Sequence, residues 1–175
     1  MIKVIPASNL REMNQELKQM YIDSFPSNER REWKELQNLM DHPNFNIHQV
    51  FDDQKSIGLI TIWNLLSFTF IEHFAIKESF QGKGVGSQVI KQIIEGKPTK
   101  VILEVEEPTD EPSRRRITFY ERLGFSVCES IYFQPPYSMG KDKVKMLLMS
   151  YPDKITALEF IEIKTLIYME VYGKV

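Results

Sequence analysis

The sequence predicts an α/β fold of the α+β kind: a mixed, mostly antiparallel central sheet with helices on both faces. Three observations carry this expectation. Apolar residues recur at helical spacing in some segments and alternate in others, giving the order β-α-α-β-β-β-α-β-α-β-β and a last helical segment. The strand–helix–strand passage over 68–106 is a crossover unit, so its two strands should lie parallel and adjacent, whereas the short turns before it demand antiparallel pairing. The 175 residues, 42% hydrophobic and 26% charged, form a chain long enough to bury one continuous core without disulfides.

The elements follow in order. Residues 2–5 form a short strand stopped by Pro6. Leu10, Met13, Leu17, Met20 and Tyr21 share a helical face over about 9–25, with Ser8 or Asn9 as cap and Pro26 as terminator. Ser27 caps a second helix, about 29–40, with Trp33, Leu36, Leu39 and Met40 on one side. Arg30 stands where a full capping box would place glutamate or glutamine. Residues 45–51 alternate, Asp52-Asp53-Gln54-Lys55 makes a polar hairpin turn, and 56–65 return as a strand containing Gly58. FTFIEHFAI, 68–76, is rich in aromatic and β-branched residues and should be a central strand. A helix over 86–95, a strand over 100–106 and a helix over 113–123 ended by Gly124 come next. Strands at 125–133 and 143–151 complete the sheet. The main domain is placed at 1–152. Residues 153–175 are a helical extension of it, whose apolar Ile155, Leu158, Ile161, Leu166 and Met169 should cover the sheet or make a homodimer contact.

Several function classes are disfavoured. Twenty-two basic against 24 acidic residues, a net of -2, lacks the cationic excess of a nucleic-acid partner. A single cysteine, Cys128, cannot form an internal disulfide or a CxxC site, and the scattered His42, His48 and His73 do not suggest a metal centre. No apolar run reaches the ~18 residues of a membrane span, and the N-terminal stretch lacks a signal peptide's apolar core, so a cytoplasmic protein with no membrane partner is expected.

The chemistry centres on Gln81-Gly82-Lys83-Gly84-Val85-Gly86-Ser87, set between a strong strand and an amphipathic helix. Glycines at alternate positions leave backbone N–H groups uncovered, and the helix start adds its dipole and unpaired donors. The product is a pyrophosphate cradle. It is not a Walker loop, and Ser87 replaces the third glycine of a dinucleotide fingerprint. Glu104, about twenty residues on, nevertheless keeps a nucleotide-dependent oxidoreductase open as an alternative.

Gln81, Gly84 and Gly86 in [Q/R]xxGxG spacing, HFAI before them, ILEVE after them and FYERLGF beyond resemble the acyl-CoA-binding half of a GNAT-type N-acetyltransferase. The order of elements resembles that fold from residue 2 to 151. The resemblance implies a splayed pair of central parallel strands, with acetyl-CoA as co-substrate and direct transfer of its acetyl group to a small-molecule or peptide amine. It implies that Gln81, Gly82, Lys83, Gly84, Val85, Gly86 and Ser87 hold the pyrophosphate. Phe74, Ala75 and Ile76 would hydrogen-bond the pantetheine arm, with the Phe74 N–H near the thioester oxygen. Ser113 occupies a position where many members contact the cofactor through asparagine. Tyr120 matches the tyrosine that protonates the departing thiolate.

An amine of pKa about 10.4 is neutral in about one molecule in 2,500 at pH 7, a penalty of roughly 4.6 kcal/mol, so a base is worth seeking. Glu72 and Glu104 are the candidates. Glu72 ranks first, as a glutamate inside an apolar strand, expected to share a face with Phe74 and to leave His73 on the other. A non-catalytic acyl-CoA-binding regulator would keep the loop and need neither Tyr120 nor a base.

Overall fold

The computed structural model describes residues 1–7, 15–95 and 97–174. The proposed caps Ser8 and Asn9 and the helical positions Leu10 and Met13 lie outside the described residues. The elements are β1 (Ile2–Pro6), α1 (Gln15–Ser24), α2 (Trp33–Leu39), β2 (Phe45–Asp52), β3 (Lys55–Asn64), β4 (Phe68–Ile76), α3 (Val85–Ile94), β5 (Lys100–Glu106), α4 (Glu111–Glu121), β6 (Ser126–Val127), β7 (Tyr132–Gln134), β8 (Val144–Tyr151) and α5 (Ala157–Leu166). The strands form one sheet in the order β1-β2-β3-β4-β5-β8-β6, with β7 also on β8. Every pairing is antiparallel except β4 with β5, the pair joined by the crossover through α3. No helix among the described residues is long and apolar enough to cross a membrane.

Two cores hold the helices to the sheet. On one face Leu17 and Tyr21 of α1, Leu36 of α2 and Ile163 of α5 pack with Phe45, Trp63, Phe68 and Phe70. On the other, Ile90 and Ile93 of α3 and Ile117 and Tyr120 of α4 pack with Ile62, Ile71, Leu103 and Met149. α3 buries Val85, Val89, Ile90 and Ile93, a stripe at helical spacing.

Three local expectations change. The second helix does not run from 29 to 40: a single 3₁₀ turn, Ser27–Glu29, is followed by extended backbone, and α2 starts at Trp33. Its capping box is built by Glu32 and Glu35, whose carboxylate accepts from the Glu32 N–H at 2.7 Å. The strand expected over 125–133 is broken. From Val127 to Tyr132 it spends five steps where β8 spends three, Met149 to Met146, and the surplus ejects Ile131 to 73% exposure.

The third change bears on chemistry. Thr61 pairs with His73 but Ile62 with Ile71, so Glu72 is the extra residue of a β-bulge in β4. The bulge resets the alternation. Glu72 and His73 both face the α1/α2 side, where they meet Trp63, Tyr21 and Phe25, while Phe74 turns to the α3/α4 side. The expected shared face of Glu72 and Phe74, and the separation of Glu72 from His73, are both corrected.

Candidate active site

The parallel ladder between β4 and β5 runs only from Phe68↔Lys100 to Ile71↔Leu103. Beyond it both strands continue, to Ile76 and Glu106, without pairing to each other, and a cleft of about 670 Å³ opens there. Its wall contains the candidates Glu72, Phe74, Ala75, Ile76, Glu104 and Tyr120 together with Gln81, Gly82, Gly84, Gly86 and Ser87. Thus the structure gathers eleven of the fourteen residues singled out in the sequence around one opening.

The loop end of the cleft is built by glycine for two reasons. Gly82 and Gly84 have φ of +73° and +77°, and no atom lies within 4 Å of where a Cβ would stand, so their outer side is open. Gly84 is also the residue before α3 and offers no side chain to cap it, leaving the helix's first N–H groups directed at the cleft. Gly86 serves close packing, because a Cβ there would stand 3.3 Å from the Phe119 ring. The Gln81 side chain donates to the Ile76 carbonyl at 2.8 Å and pins the loop to the end of β4.

Lys83, Val85 and Ser113 do not line the cleft. The Lys83 ammonium donates to the Ser79 carbonyl at 2.7 Å, and Val85 is buried with Val50, Ile57 and Ile76. Ser113 completes a capping box for α4. Its N–H donates to the Asp110 carboxylate at 2.8 Å, and its hydroxyl donates to the same carboxylate at 2.7 Å. The arginines of α4 pair with the acidic run beside them: Arg115 with Glu111 at 2.9 Å, and Arg116 with Glu106.

The two glutamates occupy different environments. Glu72 is fully enclosed, one oxygen accepting from Arg31 Nε at 2.8 Å and the other from Trp63 Nε1 at 2.9 Å. Burial pushes its carboxyl up, but the Arg31 guanidinium, the adjoining His73 and these hydrogen bonds outweigh that and hold it below the usual range. His73 is a core residue. Burial depresses it to about 4, so its ring is neutral at physiological pH, and Nδ1 lies 3.3 Å from the Thr61 hydroxyl.

Glu104 lines the cleft, and among the described residues no cation stands against it. Burial pushes its pKa up to about 7, against the opposing pull of hydrogen bonds from Tyr132 and Tyr172. The Tyr132 hydroxyl donates to Oε1, and the Tyr172 hydroxyl donates to Oε2 at 2.8 Å. Neither tyrosine was among the sequence candidates. Tyr132 stands in a strand and Tyr172 at the end of the C-terminal segment, and no local motif marks either.

Tyr120 packs against Phe119 and Phe125, and burial raises its hydroxyl to about 12, so it is protonated at neutral pH. The arrangement therefore offers a backbone cradle for an anion, an unzipped seam for an extended ligand, a carboxyl able to take a proton near pH 7 and a phenol able to give one.

Comparison with known proteins agrees with this geometry. The family model of the acetyltransferase (GNAT) family matches residues 10–125. A Bacteroides thetaiotaomicron protein assigned to the GNAT family is 33% identical, with 99% of this chain and 98% of that one aligned and a TM-score of 0.87. At the level of fold, a GNAT acetyltransferase from Elizabethkingia anophelis with acetyl-CoA bound aligns at 14% identity over 85% of this chain and 96% of that one (TM-score 0.59). A Bacillus subtilis acetyltransferase in complex with CoA aligns at 16% identity over 86% and 97% (TM-score 0.61). No match was found among curated protein sequences. With most of its length under the family model and a full-length relative one-third identical, the chain belongs to the GNAT acetyltransferase family.

Proposed function

We propose that the protein is an N-acetyltransferase that passes the acetyl group of acetyl-CoA directly to a primary amine of a small molecule or peptide. The observation that carries this reading is Glu104, a carboxyl of pKa about 7 standing in the cleft where β4 and β5 part, with the glycine cradle in the same wall. Acetyl-CoA fits the residues present. The open sides of Gly82 and Gly84 and the start of α3 would take the pyrophosphate, and the unpaired edge of Phe74–Ile76 would take the pantetheine arm as a strand.

The order of events follows from the groups. Glu104 accepts a proton from the acceptor ammonium, directly or through water. The freed lone pair attacks the thioester carbonyl, whose oxygen gains the negative charge beside the Phe74 N–H. Collapse breaks the carbon–sulfur bond as Tyr120 gives its proton to the leaving thiolate; the second proton of the acylated nitrogen restores the phenol, and Glu104 releases its own proton to solvent. Glu72 is the electrostatic partner of Arg31 rather than the base, since its enclosed side chain is ion-paired to the guanidinium, which holds the carboxyl below the usual range.

The test is thiol release from acetyl-CoA across a panel of primary amines, with NAD binding measured alongside. Release with one amine class, reduced ~10²–10⁴-fold by Glu104→Gln, supports the reading. Binding of CoA with no release across the panel would favour a non-catalytic binder. Tight NAD binding without CoA binding would favour an oxidoreductase.

A further inference from the structure

The segment after β8 does more than cover the sheet. α5 continues into one π-helical turn, Ile167–Val171, in which the Tyr172 N–H donates to the Ile167 carbonyl five residues back, at 3.2 Å. In an α-helix running on from Ile163 and Ile167, Val171 would take the next inward position and Tyr172 would swing aside. The wider turn lets both point inward, at 3% and 6% exposure. Val171 offers its carbonyl to the buried Arg31, and Tyr172 reaches Glu104.

We infer that Tyr172 and Tyr132 are positioning residues for Glu104, clamping one carboxylate oxygen each so that the group faces the cleft in a fixed orientation. The inference rests on the reading of Glu104 as the base. Two hydroxyl donors from separate elements, β7 and the π-turn, fix both the rotation and the tilt of the carboxylate plane. The donor set is itself braced. The Tyr137 hydroxyl lies 3.4 Å from that of Tyr172, and the Arg31 guanidinium lies 4.8 Å from the centre of the Tyr137 ring and is tied to Glu72. The chain Glu72–Arg31–Tyr137–Tyr172–Glu104 therefore runs from the bulge of β4 to the cleft.

Other ionisable groups among the described residues also stand near Glu104. Glu72 and Glu29 push its pKa up, whereas Tyr137 and Tyr168, whose own pKa values are raised partly by Glu104, stay neutral near pH 7 and bring no charge. Against these, the hydroxyls of Tyr132 and Tyr172 favour the ionised form, so removing either should make the carboxylate harder to form.

The experiment uses the full chain carrying Tyr172→Phe or Tyr132→Phe, each of which keeps the ring and deletes the hydroxyl. The first readout is the ionisation of the Glu104 carboxyl by carbon-13 NMR in the free protein, assigned through Glu104→Gln. It needs no acceptor, so it stands or falls apart from the catalytic reading. The second is the pH profile of kcat/KM once an acceptor is in hand. Expected is an upward move of the carboxyl titration by roughly one unit in either variant, because a hydrogen bond to a charged group is lost. The rising limb of kcat/KM should move with it. Tyr168→Phe, in the same segment but bonded to the Phe133 carbonyl at 2.5 Å, should leave the titration in place. An unchanged titration in both Tyr172→Phe and Tyr132→Phe would overturn the inference, even if thermal stability fell. A shifted titration with full turnover in Glu104→Gln would retain the clamp and remove the catalytic reading.

Discussion

At the scale of single residues, the site separates two glutamates that look alike in sequence. Glu72 is closed off by Arg31 and Trp63, and Glu104 is held by the hydroxyls of Tyr132 and Tyr172. Removing Arg31's charge as Arg31→Met strands a buried carboxylate and should cost about 3–5 kcal/mol, read by denaturant unfolding. Glu104 should report through pH. Its folded pKa of about 7 lies above the usual carboxyl value, so the folded state binds the extra proton. The associated stability is fully present below about pH 4.5 and is lost as pH rises through about 7. Unfolding titrations should lose that slope in Glu104→Gln. Activity should run the opposite way, rising through about pH 7 with acceptors of different amine pKa, since the proposed base must be unprotonated. The different surroundings of the two glutamates were not legible in the sequence, because the bulge that turns Glu72 toward Arg31 depends on cross-strand register. That one extra residue in β4 also reversed the expected relation of Glu72 to Phe74 and His73.

At the scale of elements, the strand–loop–helix unit was legible almost whole. β4 spans the predicted 68–76, β5 spans the predicted 100–106, and α3 begins one residue before its predicted start. Such elements announce themselves through local chemistry: β-branched runs, glycines and a helical stripe. Gly84→Ala should weaken acetyl-CoA binding at least tenfold, about 1.4 kcal/mol, because φ of +77° disfavours a side chain and the new Cβ points into the open cradle. Calorimetric titration of the variant with acetyl-CoA checks this. Gly58→Ala, on β3 against the end of β4, should cost stability as well. Its Cβ would stand 2.5 Å from the Ala75 carbonyl oxygen, and a loss of about 1–3 kcal/mol is expected in unfolding experiments. Less legible were the elements whose limits are set elsewhere. The 3₁₀ turn before α2 and the break after β6 arise where partner strands and buried side chains override local pattern.

At the scale of the whole molecule, the C-terminal segment belongs to the core as well as to the site. Ile163, Ile167 and Val171 are buried in the same cluster as Phe45 and Trp63, whereas Leu158 and Ile161 stand 84% and 63% exposed. Ile167→Ala should therefore cost about 2–5 kcal/mol and Leu158→Ala within about 0.5 kcal/mol, a contrast that thermal unfolding can measure. The sequence marked this segment as apolar on a broad face, yet the hydroxyl that it delivers to Glu104 crosses 68 residues of chain. Contacts of that range leave no periodicity to read.

The four rungs between β4 and β5 have a mechanical consequence. The sheet resembles a book bound along part of its spine: strands on either side of the seam are leaves that diverge as the sheet twists. The gap between Phe74 on one leaf and Glu104 on the other is thus governed by the binding at Phe68 and Lys100, well away from both. A ligand arm that fills the unbound stretch would act as the missing page, stiffening the leaves while it stays and releasing them when it departs.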